Sequence, residues 1–428
     1  MISPPYLFSI IHATNRPYAW QAAYAQYRRM TCHWDQCEFV IVYDEQNERD
    51  FHNVLGNYMG NSIRAVVNKG RPCYVDAANE GARLSCSPVL VMSTDDMFPP
   101  YWWDLKIKEA AESSTSSQKA YFVSCGYRPD IQCMQVLSRA YFDRYGFVFD
   151  PAFHSMNGDI DYTYRAERDG VVVDCRDVCW EHQHYHLGKR QQDESDKVNA
   201  STERQQEADA EIERRWGPQW ATDLDRLYAQ SIVQPSDIFE HLPALKQLAA
   251  RKFILELGVR YGNSTRAFLA GRPECLVSID TDWSKSNSDT LAQASSQQRV
   301  RWYQREGDSR SRATLKCSSK WEFQFFDITF VDTLHTAAQV RSEIAAHEPH
   351  TKERLIFHDT VTNGKIGEDG GPGIMVPIYE LLSKGDWEIE RHYHHCNGLL
   401  ILRRKGVAPW RYGHRTTAGA RAEVEVAV

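Results

Sequence analysis

The sequence lacks long apolar runs, paired-cysteine motifs and a strong excess of either charge. No run approaches the roughly 20 apolar residues that cross a bilayer, so a transmembrane segment is not predicted. The 11 cysteines are scattered and none has C-x-x-C spacing, which favours reduced thiols over a disulfide framework. No cationic segment precedes the apolar stretch of Met1 to Ile11, so we expect a first strand and a cytoplasmic protein. A net charge of -7 gives no strong nucleic-acid signal.

The length and composition predict two soluble α/β domains. A chain of 428 residues is too long for one ordinary core, and 42% hydrophobic with 25% charged residues is typical of globular proteins. In both halves short apolar runs alternate with helix-like segments, which indicates largely parallel sheets covered by helices. The predicted strands are Leu7–His12, Phe39–Tyr43, Ile63–Val67, Val89–Ser93 and Ala120–Ser124, then Phe253–Leu257, Leu276–Ile279, Phe326–Val331, Arg354–Phe357 and Gly398–Leu402.

A polar stretch over 189–231 separates the two alternating regions. Its helical periodicity around Ile212, Trp216 and Trp220 predicts one or two solvated helices that close the first domain. We therefore predict a first domain over 1–230, a linker over 231–238, a second domain over 239–412 and a disordered tail over 413–428.

Three apolar strands of the first half lead into polar residues. The first runs into Thr14-Asn15-Arg16, the second into Asp44, and the strand Val89–Ser93 into Asp95 and Asp96. Ligands gather at the carboxyl ends of parallel strands, so these groups are predicted to face one cleft. Adjacent carboxylates are hard ligands suited to Mg²⁺ or Mn²⁺ bridging a diphosphate.

These motifs resemble family 2 glycosyltransferases of the GT-A fold, with Ser93-Thr94-Asp95-Asp96 where that family usually has D-x-D. The resemblance implies a nucleotide-diphospho-sugar donor and a divalent metal (Mn²⁺ or Mg²⁺) bound by Asp96. It also implies a set of residues that bind the nucleotide sugar, namely Thr14, Asn15, Arg16, Asp44, Asn79 and Asp95.

Two further segments of the first half fit the same family. The stretch Asn157 to Arg165 resembles its acid-rich helix start, which implies that Asp159 is the catalytic base; a helix N-cap is the alternative. His182 lies in the histidine-rich segment Trp180 to His186. The resemblance makes His182 a metal ligand, and a solvated polar loop is the alternative.

The most informative stretch is Glu256 to Ser264, which follows an apolar strand and precedes a helix-like segment. A second apolar strand ends at Asp280. Glycines let the backbone approach a ligand, and an acid after the second strand accepts hydrogen bonds from ribose hydroxyls. The pattern E-x-G-x-x-x-G-x-S resembles class I S-adenosylmethionine-dependent methyltransferases. The cofactor-binding residues that this resemblance implies are Glu256, Gly258, Gly262, Ser264, Asp280 and Asp308, the last beside the adenine.

The segments Phe326 to His335 and Leu355 to Thr360 resemble the branch of sugar and small-molecule O-methyltransferases. Asp332 and Asp359 would leave neighbouring strands at one edge and share a divalent cation, while His335 or His358 takes the acceptor proton. Helix capping by the two aspartates is the alternative. The glycine-rich stretch 367–373 is predicted to be a mobile lid.

Together these features predict a bifunctional glycan-modifying enzyme, an inverting glycosyltransferase fused to an S-adenosylmethionine-dependent O-methyltransferase acting on a glycan or small-molecule acceptor. One alternative makes the first domain a non-catalytic glycan- or nucleotide-binding module. Others are a scaffold or virion component, and an enzyme that hypermodifies DNA bases, against which the acidic net charge argues.

Overall fold

The computed structural model describes residues 6–55, 63–113, 116–193, 196–197, 201–217, 222–315 and 324–410. These residues form two seven-stranded β-sheets, each accompanied by helices. Trp220 and the predicted tail 413–428 lie outside the described residues. Among the described helices none is both long and apolar enough to cross a membrane.

The first half contains the sheet that carries strands β1 to β4. Strands β1, β2 and β4 are buried along their whole length, as expected for parallel strands covered on both faces. Along the sheet the order is β3-β2-β1-β4-β7-β6-β8, and β7 runs antiparallel to both of its neighbours. The strands are β1 Phe8–Ala13, β2 Cys37–Asp44, β3 Ile63–Asn68, β4 Val89–Ser93, β5 Met97–Phe98, β6 Ala120–Ser124, β7 Gln135–Ser138, β8 Val172–Cys179 and β9 Glu181–His182.

Helices accompany this sheet in the described part of the chain, and the short strands β5 and β9 pair with each other beside it. The helices are α1 Trp20–Met30, α2 Glu48–Leu55, α3 Tyr74–Leu84, α4 Trp103–Glu112, α5 Arg139–Tyr145, α6 Gly158–Arg168 and α7 Thr202–Trp216.

The second half is built on a sheet of order β12-β11-β10-β13-β14-β16-β15, in which β16 runs antiparallel to both neighbours. Its strands are β10 Phe253–Leu257, β11 Cys275–Asp280, β12 Trp302–Glu306, β13 Phe326–Val331, β14 Thr351–His358, β15 Trp387–Tyr393 and β16 Leu399–Arg404. Its helices are α8 Asp223–Val233, α9 Leu242–Leu248, α10 Asn263–Ala270, α11 Ser288–Gln297, α12 Ala337–His347 and α13 Met375–Ser383.

In each sheet the chain first adds strands on one side of its opening strand and then crosses to the other side. In the first, β2 and β3 lie on one side of β1 and β4 on the other; in the second, β11 and β12 lie on one side of β10 and β13 on the other. A crevice opens at the carboxyl ends of the two central strands at such a point, and ligands bind there in open α/β sheets. The fold therefore places one candidate site after β1 and β4, and another after β10 and β13.

Helix α8 lies across the predicted domain boundary at 230. Its buried residues Leu224, Tyr228 and Ile232 pack with the apolar residues of β10, α10 and α11 in the core of the second sheet. The segment predicted as a linker over 231–238 begins inside this helix, and Ile238 is buried in the same core. The structure thus assigns to the second half a helix that the sequence pattern had placed at the end of the first.

Candidate functional site

The glycine loop of the second half begins at Gly258, directly after β10. Gly258 has a φ of +88°, and a Cβ built there would lie 1.9 Å from the carbonyl oxygen of Asp332. Its N–H donates to the carbonyl of Ile279 at 2.9 Å. Gly262, with a φ of +75°, caps helix α10. The loop therefore lies against the end of β13, at the switch point of the sheet, with helix α10 starting beside it.

Glu256 anchors this loop from below. Its side chain is fully buried and accepts hydrogen bonds from the hydroxyls of Ser264 at 2.7 Å, Thr265 at 2.9 Å and Ser278 at 2.5 Å. Burial raises the pKa of Glu256 to about 7, although the three hydroxyls favour the charged form. Glu256 and Ser264, both predicted cofactor residues, thus hold the loop in place through each other.

Asp280 ends β11 and binds the loop backbone. Its Oδ2 accepts from the amides of Val259 at 2.7 Å and Arg260 at 3.0 Å, which brings the predicted ribose-binding acid to the edge of the loop. Asp308 is placed differently: it is about half exposed and its carboxylate is paired with Arg310 at 2.8 Å. Asp308 follows β12 next to the end of β11, because the N–H of Gly307 donates to the carbonyl of Asp280 at 3.0 Å.

A cluster of imidazoles and carboxylates lies at the ends of β13 and β14. His335 Nε2 is 3.2 Å from Asp332 Oδ1 and 3.0 Å from Asp359 Oδ2. His358 Nδ1 is 3.2 Å from the same oxygen of Asp332 and 3.4 Å from Asp359 Oδ2. The structure therefore brings together Asp332, Asp359 and both candidate proton acceptors, as the sequence predicts.

Electrostatic attraction between the histidines and the aspartates determines which groups of this cluster are charged. Burial alone would lower the pKa of both imidazoles, but Asp332 and Asp359 outweigh it and raise the pKa of His335 and His358 well above the ordinary value. Burial opposes the charged form of both carboxyls as well, and the two histidines hold the pKa of each aspartate far below its usual range. The cluster is therefore strongly coupled, and both histidines are charged near neutral pH.

Asp359 carries the structural signs of a ligand-binding residue. Its φ is +57°, a left-handed conformation that is strained for a residue with a side chain. Its Oδ1 is buried and has no hydrogen-bond partner among the described residues. A buried carboxylate oxygen without a partner is costly unless a proton or cation reaches it, so this donor set fits the divalent cation predicted for it.

Glu368 belongs to the same site and was not predicted. Its Oε1 lies 2.5 Å from His335 Nδ1, and its backbone N–H donates to the His335 carbonyl at 3.1 Å. The glycine-rich stretch predicted as a mobile lid is thus attached to His335, and an isolated bridge pairs Ile366 with Pro372 across it. Composition indicated the loop, but no local signal connects two residues 33 positions apart.

In the first half, Asp95 lies at the centre of a hydrogen-bonded network after β1 and β4. Its Oδ1 contacts His12 Nε2 at 2.9 Å, and its Oδ2 accepts from Thr14 Oγ1 and Arg16 Nη1, each at 2.8 Å. Burial would raise the pKa of Asp95, but these partners lower it. Thr14, Arg16 and Asp95 therefore meet, and His12 joins them without having been predicted.

Asp96 and His182 meet beside this network across the β5–β9 pair. His182 Nε2 lies 3.7 Å from Asp96 Oδ2, and Arg190 lies 3.5 Å from the same oxygen. One ligand atom each from Asp96, His182 and His184 falls within 4.8 Å of the others, which is suitable spacing for a metal ion. Burial opposes protonation of His182, but Asp96 and Cys125 raise its pKa to about 9.

Asp159 lies in the first turn of α6, and the N-cap of that helix is Asn157. The alternative of an N-cap role for Asp159 is therefore wrong. Burial raises the pKa of Asp159, although the charge of Arg128 favours ionisation. Burial, and then the charges of Asp96, Tyr27, Asp159 and Asp95, raise the pKa of the Tyr74 hydroxyl.

The remaining predicted residues of the first half are Asp44, Asn15 and Asn79, and they have different surroundings. Asp44 is buried at the end of β2 and its Oδ1 accepts from Asn68 at 2.6 Å, while its Oδ2 has no partner among the described residues. Asn15 is bonded to Asn47 at 3.3 Å. Asn79 is a correction: its amide bonds the backbone of Val148 and Phe149, so it fixes a loop and is not available to a nucleotide sugar.

Comparison with known proteins adds to the geometry of the second half. Residues 255–360, about a quarter of the chain, match the model of a family described as a methyltransferase domain. No curated protein matches the chain. Within the C-terminal half, whose sheet is a doubly wound α/β sheet, residues 255–360 are thus similar to a methyltransferase domain. The match does not extend into the first half.

Similar solved structures include three methyltransferases. An O-methyltransferase from Bacillus cereus, solved with SAH, is 17% identical, with 46% of this chain and 96% of that chain covered at a TM-score of 0.32. The O-methyltransferase TomG from Streptomyces achromogenes, solved with SAM, is also 17% identical, with 46% of this chain and 96% of that chain covered at a TM-score of 0.34. The SAH-bound methyltransferase PaMTH1 from Podospora anserina is 18% identical, with 48% of this chain and 97% of that chain covered at a TM-score of 0.30.

Proposed function

We propose that the protein is a bifunctional enzyme that transfers a sugar from a nucleotide-diphospho-sugar in its first half and methylates a hydroxyl with S-adenosylmethionine in its second. The observation that carries the methyltransferase part is a coincidence of position. Residues 255–360 match a methyltransferase domain, and the same segment contains the Gly258 loop and the Asp332–His335–Asp359 cluster at one switch point.

The glycine loop would bind S-adenosylmethionine. Gly258 lets the backbone pass without a side chain between β10 and the carbonyl of Asp332, and Asp280 would accept hydrogen bonds from the ribose at the end of β11. The amino terminus of α10 follows at Asn263. Glu256 supports the loop from the core and does not touch the cofactor in this proposal.

His335 would remove the proton from the acceptor hydroxyl. With both aspartates ionised it is already protonated, so it accepts a proton only once those carboxylate charges are neutralised. A divalent cation bound by Asp332 and Asp359 would neutralise them and acidify the acceptor hydroxyl. Glu368 holds the other ring nitrogen and fixes the orientation of His335.

The test compares His335→Gln with His350→Gln, an exposed histidine whose ring bonds a backbone carbonyl elsewhere in the same half. His335→Gln should retain S-adenosylhomocysteine binding by calorimetry and lose at least about 100-fold in methyl transfer to a panel of sugar hydroxyls, the range of a general base. His350→Gln should match the wild type. Undiminished transfer by His335→Gln would remove His335 from the mechanism.

The sugar-transfer part is supported by the first switch point. Asp96, His182 and His184 would bind the divalent cation that stabilises the leaving diphosphate. Asp44, with its unpartnered oxygen, would bind the base or ribose, and Asp159 would deprotonate the acceptor, a role that its raised pKa suits.

One observation favours the alternative in which the first half only binds its ligand. Both oxygens of Asp95 are already occupied by His12, Thr14 and Arg16, so of the two carboxylates only Asp96, beside His182 and His184, would bind the cation. Asp96→Asn and the exposed control Asp143→Asn separate the two functions. Loss of Mn²⁺-dependent hydrolysis of nucleotide sugars in Asp96→Asn alone supports transfer. Nucleoside diphosphate binding with no hydrolysis in the wild type supports a binding module.

A further inference from the structure

Glu343 lies on helix α12, and its side chain is fully buried inside the second half. Its Oε1 accepts hydrogen bonds from the hydroxyl of Ser309 at 2.6 Å, the hydroxyl of Thr333 at 2.7 Å and the side-chain amide of Gln339 at 2.8 Å. Ser309 follows β12 and Thr333 follows β13, whereas Gln339 belongs to α12 itself. One carboxylate oxygen therefore joins two separate loops to the same helix.

Helix α12 holds Ser309 at a second point, through His347. The Nε2 of His347 donates to the backbone carbonyl of Ser309 at 2.6 Å, since a carbonyl oxygen can only accept. Two residues earlier, the N–H of Gly307 donates to the carbonyl of Asp280 at 3.0 Å. The segment 307–309 is therefore fixed between the end of β11 and helix α12.

Thr333 connects the same carboxylate to the glycine loop. It directly follows Asp332, whose N–H donates to the carbonyl of Leu257 at 2.9 Å. The Cγ2 of Thr333 lies 3.3 Å from the position of a Cβ built at Gly258. The hydrogen bond from Thr333 to Glu343 therefore holds the chain after β13 against the glycine loop.

An acid at this position lowers the stability of the fold. The Oε2 of Glu343 is buried and has no hydrogen-bond partner within the part of the chain that the structure describes. Burial raises the pKa of this carboxyl, although Ser309, Thr333 and Gln339 favour its charged form. A buried polar atom without a partner is unfavourable, so packing alone does not account for Glu343. A role in placing the two loops does.

We propose that Glu343 is a positioning residue for cofactor binding, which holds the loops after β12 and β13 in the arrangement that S-adenosylmethionine requires and does not touch the ligand itself. The proposal rests on the proposed methyltransferase function, in which the glycine loop and Asp280 bind the cofactor. Asp308, the residue predicted beside the adenine, directly precedes Ser309, so a shift of Ser309 would displace it. Loss of Glu343 should therefore weaken cofactor binding in a chain that remains folded.

The experiment measures S-adenosylhomocysteine binding to the full chain by calorimetry, at a temperature where thermal denaturation shows each variant to be folded. Glu343→Leu removes the acceptor of three buried hydrogen bonds and should raise the Kd at least about tenfold. Glu343→Gln retains an acceptor oxygen for the same donors and should keep the Kd within about threefold of the wild type. Rescue by glutamine is not expected if the negative charge of Glu343 is what matters.

The matched control is Glu390→Leu. Glu390 is an almost fully buried carboxylate of the same half, and it pairs with Arg354 at 2.7 Å between β15 and β14. Its loss should lower the thermal transition without changing the Kd, which separates positioning from a general loss of stability. If Glu343→Leu does not fold, Thr333→Val removes one of the three donors with little change in side-chain size and should raise the Kd about three- to tenfold.

A raised Kd in Glu343→Leu with recovery in Glu343→Gln supports the proposal. Wild-type affinity in Glu343→Leu overturns it, as do equal losses in Glu343→Leu and Glu343→Gln, or in Glu343→Leu and Glu390→Leu. Where Thr333→Val has to replace Glu343→Leu, an unchanged Kd overturns the proposal in the same way. A wild type that does not bind S-adenosylhomocysteine refutes the proposed cofactor and this role with it, whereas equal binding by wild type and Glu343→Leu refutes only the role of Glu343.

Discussion

At the scale of single residues, Gly258 occupies a position where no side chain fits. Its φ is +88°, and a Cβ added at this position would lie 1.9 Å from the Asp332 carbonyl oxygen, so both the backbone and its surroundings oppose substitution. Gly258→Ala should therefore displace the loop, lower stability by about 1–3 kcal/mol or more, and abolish S-adenosylhomocysteine binding in a calorimetric titration.

The control for this variant is Gly385→Ala. Gly385 has a φ of +89° with nothing within 4 Å of a Cβ, so it carries the same backbone penalty without the collision. A Gly258→Ala protein that still binds S-adenosylhomocysteine as the Gly385→Ala protein does would show that the close approach to Asp332 is not required.

Glu256 predicts a pH dependence of stability. Its folded pKa is near 7, against 4.5 for an ordinary glutamate. Because the folded pKa is raised, the stabilisation is complete below pH 4.5 and is lost as the pH rises through 7. Relative to Glu256→Gln, the wild type should lose roughly 3 kcal/mol of unfolding free energy over that range, measured by denaturation at several pH values.

The exposed residue Glu274 provides the control, because it is more than half exposed. Glu274→Gln should follow the pH curve of the wild type. If the curves of the wild type and of Glu256→Gln run parallel, then Glu256 does not titrate in this range and its pKa is not raised by burial.

At the scale of elements, a substitution in helix α8 can show which of the two sheets this helix stabilises. Leu224 is fully buried with the core of the second sheet. Leu224→Ala should cost about 2–5 kcal/mol and lower the thermal transition that S-adenosylhomocysteine stabilises. Val233→Ala, at a half-exposed position in the same helix, is the matched control. If Leu224→Ala lowers only the thermal transition that nucleoside diphosphates stabilise, then α8 stabilises the first half instead.

The strands were predictable for a physical reason. Parallel strands covered on both faces need continuous apolar runs, and every predicted strand is present with ends within three residues. The short strand β7 was not predicted, because four residues give too little pattern. Helix α8 was assigned to the wrong half because its apolar face shows that the helix is covered, but not which sheet covers it.

The candidate sites were predictable to the extent that they follow strand ends. In the second sheet Asp332 and Asp359 follow neighbouring strands and both contact His335, as expected. In the first sheet Asp95 follows β4 and contacts Thr14, which follows the neighbouring strand β1. Asn79 was misassigned because an amide suits a backbone loop as well as a ligand. Glu368 was missed because its contact with His335 depends on tertiary folding of a glycine-rich loop.

At the scale of the whole molecule, the two sheets meet through the side chains of their edge strands. Asp174 and Arg176 on β8 form a buried ion pair at 3.0 Å. Tyr393 on β15 donates its hydroxyl hydrogen to Asp174 and accepts from Arg176 at 2.9 Å. Ser124 also donates to Glu240 at 2.7 Å across the two halves. Covered edge strands are protected from pairing with other chains.

Tyr393→Phe should therefore lower the local stability of the first half, although Tyr393 belongs to the second. Removing the hydroxyl leaves buried Asp174 and Arg176 each without one partner, at a cost of about 1–3 kcal/mol. Hydrogen exchange of the β8 amides should accelerate, while that of β2, distant along the same sheet, should not. Tyr379→Phe, at an exposed position of the second half, is the control. Unchanged exchange in β8 would mean that the halves contact each other without stabilising each other, so that ligand binding in one would leave the other unaffected.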